Sequence, residues 1–203
     1  MATQTFLMIS GFALTLGGAI QAIASVAHLN NQDPNAVKSN MWVPLQVAFG
    51  FAYLFIGIGI VGVYLQQGEQ SGIIGLVGFI LALLGSLLTM PTSFMWAFVA
   101  PYLAKQESYS KAPLDLLGAN GPMPGIFKLL LAYIFLLMPG FILLGIATIR
   151  AGVFPSLAGW LILVGIIISQ PGNMVAKLAI LRNVGGVLFG AGLAWLGIAL
   201  LSG

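Results

Sequence analysis

The sequence predicts an all-α fold: one integral membrane domain, residues 1–203, built as a bundle of six transmembrane helices, the third long and kinked at Pro91. Three observations predict it. The 203 residues are 60% apolar and have a mean hydropathy of +1.07. Seven basic and four acidic side chains make up only 5% of the chain, whereas soluble domains are about one quarter charged. Six apolar runs also reach the roughly 17–25 residues needed to cross a ~30 Å hydrocarbon core.

The runs lie at 5–27, 43–65, 72–100, 127–149, 155–174 and 179–202. Inside lipid every backbone N–H and C=O needs a partner within the protein, which helices and closed barrels supply. A barrel would alternate polar and apolar residues along short strands. These runs are continuously apolar, so they are read as helices. The charged residues are assigned to the connections and the span ends.

In the first run, Ser25-Val26-Ala27 resembles a small-residue cleavage site. Residues 1–6 nevertheless lack a basic n-region, and Gly17, Gly18 and Gln21 interrupt the apolar stretch, so a retained helix is expected. Residues 28–42 form a polar connection with a turn signal at Asp33-Pro34. Residues 66–71 read as a tight turn. The third run exceeds what a bilayer needs. Pro91 lacks an N–H and its ring crowds the preceding turn, which predicts the kink. Thr89, Thr92 and Ser93 stand nearby to bond the freed carbonyls. Residues 105–125 form the long connection; 112–117 has room for one interfacial turn, and GANGPMPG at 118–125 is too rich in Gly and Pro for a helix. The fourth run contains Pro139-Gly140, and 150–154 is a short turn. At 170–182 two readings stand: a break at Gln170-Pro171-Gly172-Asn173, or helix resuming over 174–181.

Lipid tails compete equally with Leu for Leu, so membrane helices associate through small residues and close backbone approach. Three stripes at helical spacing are expected to form packing faces: Gly11, Thr15, Gly18, Ala22 and Ser25; Gly75, Gly78, Ala82, Gly85 and Thr89; and Gly186, Gly190, Ala194 and Gly197. Trp42, Tyr64, Trp96, Tyr102 and Trp160 lie near span ends, as an interfacial aromatic belt requires. Trp195 falls inside the last span, either as a lipid-facing or packed indole or as a contact to a bound pigment or quinone. A faint repeat pairs Ala52-Tyr53-Leu54-Phe55 with Ala132-Tyr133-Ile134-Phe135.

Composition excludes several functions. No cysteine is present, so disulfides, zinc-thiolate sites and iron–sulfur clusters are ruled out. A net charge of +3 is too sparse for a phosphate-tracking surface, which excludes nucleic acid as a partner. The four carboxylates, Asp33, Glu69, Glu107 and Asp115, all fall in connections, and no hydrolase, P-loop or dinucleotide motif occurs. No catalytic residue and no metal site is assigned, and no cofactor is implied. Coupled transport usually needs an ionisable group at membrane depth. The polar groups there are Gln21, Ser25, Gln46, Ser86, Thr89, Thr92, Ser93 and Ser169, suited to helix–helix hydrogen bonds or to a neutral ligand. His28 ends the first span, either as a solvated cap favoured by the helix dipole or as a ligand to a pigment metal.

Four segments carry a likeness to known sequences: 62–78 (GVYLQQGEQSGIIGLVG), 96–104 (WAFVAPYLA), 145–165 (GIATIRAGVFPSLAGWLILVG) and 192–200 (GLAWLGIAL). They resemble an uncharacterised bacterial family of six-helix membrane proteins with no established activity, over most of the chain after residue 60. The resemblance implies a multi-pass protein of the bacterial inner membrane and supplies no catalytic residue. It also implies that the 66–71 and 150–154 turns are cytoplasmic, because family members are basic there. In this chain Arg150 is the sole basic residue of those two turns, whereas Lys38, Lys105, Lys111, Lys128, Lys177 and Arg182 gather at the opposite end. The positive-inside rule therefore points the other way, and the orientation stays open. By elimination the chain is expected to be a non-catalytic accessory or structural subunit of a larger membrane complex, such as a respiratory or photosynthetic assembly, with lipid and other subunits as partners. The alternative is a passive facilitator or a protein that binds a quinone, carotenoid or lipid, with Thr89, Thr92, Ser93, His28 and Trp195 as contacts.

Overall fold

A computed structural model describes residues 2–31, 33, 35–105, 115, 117, 121–122, 124–174 and 176–202. Among these residues all regular structure is helical. The helices are α1 (Ala2–Val26), a 63-residue stretch Trp42–Ala104, then Pro124–Ala151, Ser156–Met174 and Ala179–Ser202, with short 3-10 turns at Ala36–Lys38 and Ala176–Leu178. Four of them are long and apolar enough to cross a membrane: Thr3–Val26, Trp42–Ala104, Gly125–Ala151 and Ala179–Ser202. Ser156–Ser169 is apolar but shorter.

The 63-residue stretch is two helices. Gly72 has φ 57° and ψ −150°, a region open essentially to glycine alone. It separates α2 (42–71) from α3 (73–104). As numbers rise along α2, their partners fall along α3: Gly50 faces Phe94, Gly57 faces Leu83 and Ser86, and Tyr64 stacks on Phe79 with centroids 4.5 Å apart. The two arms are thus an antiparallel hairpin. The turn expected over 66–71 is instead helix, and one residue makes the reversal. Gln66, Gln67, Glu69 and Gln70 are polar, but Gln and Glu are also good helix formers, and that propensity prevails.

With α4 (Pro124–Ala151), α5 (Ser156–Met174) and α6 (Ala179–Ser202), the same antiparallel logic repeats. Gly85 lies against Leu137 and Gly78 against Leu144, pairing α3 with α4; Gly145 lies against Gly159, pairing α4 with α5. Gly192 lies against Ala158 and Gly185 against Gly165, pairing α5 with α6. Gly18 meets Gly190 and Gly11 meets Leu201, pairing α6 with α1, while Gly59 meets Leu14, pairing α1 with α2. Six helical arms therefore form a closed up-and-down ring. Its axis is filled: Leu14, Ile56, Ile60, Ala82, Phe141, Leu144, Ile162, Phe189 and Leu193 belong to one buried apolar cluster. Phe141 and Phe189 meet edge-on across it, 4.8 Å apart at 87°.

Several expectations need correction. The torsions of α3 stay helical through Pro91, so they do not show the expected kink; the break is at Gly72. Pro124 and Gly125 open α4 rather than belonging to the loop, because a proline at the first helical position forfeits an N–H that has no helical partner anyway. The remainder of 118–123 and Lys111 lie wholly or mostly outside the described residues. Between α5 and α6 the backbone is helical to Met174, so a break at 170–173 is not found. Trp42 and Trp96 are not belt residues. Trp42 is only 1% exposed and donates its indole N–H to the Trp96 carbonyl at 2.8 Å. Both join a second apolar cluster with Val37, Ala100, Leu103, Leu117 and Ile126, which closes the end of the bundle under the 28–42 connection.

Candidate functional site

Two of the three small-residue stripes, those of α1 and α6, meet each other. Gly11, Gly18 and Ala22 on α1 face Gly197, Gly190 and Ala194 on α6 at backbone distance, and Gly186 abuts Ser25. A methyl group added at Gly190 would lie 2.5 Å from the Gly18 carbonyl oxygen and 2.6 Å from the Ala22 nitrogen. On α3, Gly78 and Gly85 face α4, and Ala82 is wholly buried against Gly140. Gly75 approaches Ala147 on α4 and Ser71 at the end of α2. Missed in the sequence were Gly165 on α5 with Gly185 and Gly192 on the second face of α6, and Gly59 and Gly62 of α2 against Leu14 and Ser10 of α1. The seven-residue step from Gly185 to Gly192 was the available signal, masked by the stronger stripe on the adjacent face.

The hydroxyls near Pro91 are engaged within their own helix. Thr89 donates to the Gly85 carbonyl at 2.7 Å, Thr92 to the Leu88 and Thr89 carbonyls, and Ser86 to Ala82 at 2.7 Å. The carbonyl that Pro91 deprives of a donor is that of Leu87, which none of these bonds reaches. Ser93 is buried on the same stretch. Trp195 is 38% exposed on α6. Two clefts, of about 290 and 320 Å³, open at the end carrying Gly72 and the α4–α5 turn, and none of the candidate residues lines either.

A polar cluster forms at the opposite end. His28, just past α1, is half-buried, with its ring 5.2 Å from that of Phe49. Its Nδ1 lies 2.6 Å from the Leu29 carbonyl, which accepts only, so Nδ1 carries the proton. Burial, and secondarily the Arg182 guanidinium, lower its pKa to about 4 against a smaller opposing effect of that hydrogen bond. Arg182 was assigned to a connection or span end. It lies in the first turn of α6 and is only 6% exposed. It donates through Nε to Asn183 Oδ1 at 3.2 Å and through Nη2 to the His28 carbonyl, just past α1, at 3.4 Å. One turn onward, Gln21 Nε2 donates to Ser25 Oγ at 3.2 Å, while Gln21 Oε1 is buried without a partner. Gln46, also buried, sits one turn before Phe49 on α2.

Chemically, this end offers a neutral imidazole and a desolvated guanidinium, with no carboxylate against either among the described residues. Nor is there a group of three or more metal-ligating side chains among them. Comparison with protein-family models, with curated proteins and with solved structures finds no match.

Proposed function

We propose that this chain is a six-pass bacterial inner-membrane protein that works through shape and surface: a non-catalytic accessory subunit of a larger membrane assembly. Helix length supports six passes. Each arm of the Gly72 hairpin, at ~1.5 Å per residue, is longer than a ~30 Å hydrocarbon core. The α5 helix, 19 residues long, runs between two such helices. The observation that carries the functional reading is the filled axis, with Phe141 against Phe189 and buried apolar residues contributed by every arm. A packed interior supports a scaffold better than a solute path. The facilitator and quinone- or carotenoid-binding alternatives have less support, because Thr89 and Thr92 direct their hydroxyls to their own helix. Native gel electrophoresis after extraction in mild detergent tests the proposal. A stoichiometric larger complex is expected; a monodisperse monomer without co-purifying subunits overturns it.

A further inference from the structure

We propose that the axis of the bundle, between its two apolar clusters, holds a small cluster of ordered water bound by Gln21, Gln46, Tyr53, Ser93 and Tyr133. The argument begins with helical register. Tyr53 belongs to the axial apolar cluster, and Tyr133 packs both on that cluster and on the one that closes the bundle end. The two phenols lie close enough to interact electrostatically. Gln21 follows the axial residue Leu14 by seven positions, Gln46 precedes Tyr53 by seven, and Ser93 follows the axial residue Ala82 by eleven. Those steps are close to two and three whole turns, so each side chain shares its helix face with a residue on the axis. The heights agree as well. Gly17 lies against Ala52 and Ile56, which sets Gln21 one turn before Tyr53; Gly50 lies against Phe94 and the Met90 carbonyl, which sets Ser93 level with the middle of the Gln46–Tyr53 stretch. Gly85 lies against Leu137, so Tyr133, one turn toward the same end, comes beside the turn that precedes Ser93.

Water fits what these groups lack. Gln21, Gln46, Tyr53 and Ser93 are 6%, 6%, 8% and 5% exposed. Gln21 Oε1 is buried without a partner, and no side-chain hydrogen bond engages Gln46, Tyr53, Ser93 or Tyr133 among the described residues. Polar groups left dry at this depth are strongly unfavourable, and in folded proteins they are met by protein or by ordered water. Gln21 Oε1 is sealed, whereas the unpartnered atoms of Gln46, Tyr53 and Ser93 keep some accessible surface, which is the room that water needs. The Gln21 oxygen calls for a donor, the phenols and the Ser93 hydroxyl for an acceptor, and the Gln46 amide for both. An ion of either sign serves only one kind of group; water serves all of them. Ile56 and Phe141 bound the layer on one side, and Trp42, Trp96 and Leu117 on the other, so the water is enclosed rather than on a path. The inference rests on membrane placement but not on the accessory role, so a failed search for partner subunits leaves it standing.

Radiolytic labelling of the whole protein in neutral detergent tests this. A millisecond X-ray pulse splits bound water in place, and the hydroxyl radical formed there marks the side chains touching it, which peptide mass spectrometry reads. Phe141 and Phe189 are the controls, as aromatic rings of comparable reactivity that lie buried in the apolar cluster. Tyr53 is expected to be oxidised about tenfold faster than either. Gln21→Leu combined with Gln46→Leu removes amide partners of the water and should bring Tyr53 down toward the rate of Phe141. Equal rates for Tyr53 and the two phenylalanines in the wild type overturn the proposal, because the layer is then dry. An unchanged Tyr53 rate in the double variant also overturns it, since the radicals then reach the ring by transient opening. A stoichiometric organic adduct in native mass spectrometry that is lost in the double variant overturns it in favour of a small neutral solute. The wild-type comparison needs no variant, so a misfolded double variant does not blunt it.

Discussion

Gly18→Ala tests whether backbone contact between α1 and α6 holds the ring closed. The added methyl would lie 2.6 Å from the Gly190 carbonyl oxygen and 2.9 Å from Ala194 Cα, and would also meet the Ala194 nitrogen. An ordinary contact begins near 3.4 Å, so the oxygen alone demands a retreat of 0.8 Å. The obstructing atoms are backbone, so no rotamer change relieves the clash and the two helices must part. A gap of that size forfeits a quarter to a half of each neighbouring dispersion contact, and overpacking of this kind costs roughly 1–3 kcal/mol. Alanine returns about 0.5–1 kcal/mol through helix propensity. The control is Gly57→Ala, whose methyl would lie 3.8 Å from Leu83 Cδ1 and from Ser86 Cβ, an ordinary contact. It should be neutral or slightly stabilising.

The propensity gain is common to both variants, so they should differ by about 1–3 kcal/mol, or roughly 5- to 150-fold in the folded ratio. Reversible unfolding in mixed micelles, followed by tryptophan fluorescence as the denaturing detergent fraction rises, measures that difference. If Gly18→Ala falls within about 0.5 kcal/mol of Gly57→Ala, the helices are not locked at this contact and the packing argument fails.

The remaining predictions use the same unfolding assay. Gly72→Ala should cost about 1–3 kcal/mol although an added methyl meets nothing within 4 Å, because the cost is conformational; no loss would mean that the hairpin reverses by another route. His28 has a native pKa of about 4 against an ordinary 6.5, so the unfolded chain binds more protons between those values. Its contribution is full above about pH 6.5 and is lost as pH falls toward 4, by at most about 3 kcal/mol; His28→Gln should flatten that slope, and an unchanged slope would remove His28 as its source. Gln67 is fully buried, donates Nε2 to Thr148 Oγ1 at 3.2 Å and leaves Oε1 without a partner. Thr148→Val alone should cost about 1–3 kcal/mol by stranding Nε2, whereas adding Gln67→Leu should recover most of it; additive losses would show that the pair is not coupled.

How much of this was legible in the sequence depended on the kind of signal. Apolar runs marked every helical arm, because a 20-residue oily stretch admits one backbone solution in lipid. The α1–α6 and α3–α4 faces were visible as glycine stripes because close approach requires small residues at helical spacing. The reversal at Gly72 was placed up to six residues early, since polar side chains there suggested loop while Gln and Glu extended the helix. Trp42 was assigned to the interface because its sequence neighbourhood is a span end. The fold then covers that end with Val37 and Leu117, a long-range contact that no local pattern announces. Arg182 was hardest to place, since a charge four residues into a helix looks terminal until His28 arrives against it from just past the far end of α1.

The packing strategy also confines where chemistry is possible. Backbones that touch at Gly18–Gly190, Gly85–Leu137 and Gly165–Phe189 leave no lateral room for a ligand between those helices, and large apolar side chains occupy the axis. Polar atoms inside the ring that find a partner bond to their own helix, as Thr89 and Ser86 do, or to one neighbour, as Gln67 Nε2 does, and Gln67 Oε1 is left without one. Only at the ring ends does the constraint relax. There the connections are long enough to carry His28 over Phe49, and α6 begins early enough to bring Arg182 under it. In a bundle built this way, charged groups are pushed to the ends of the ring.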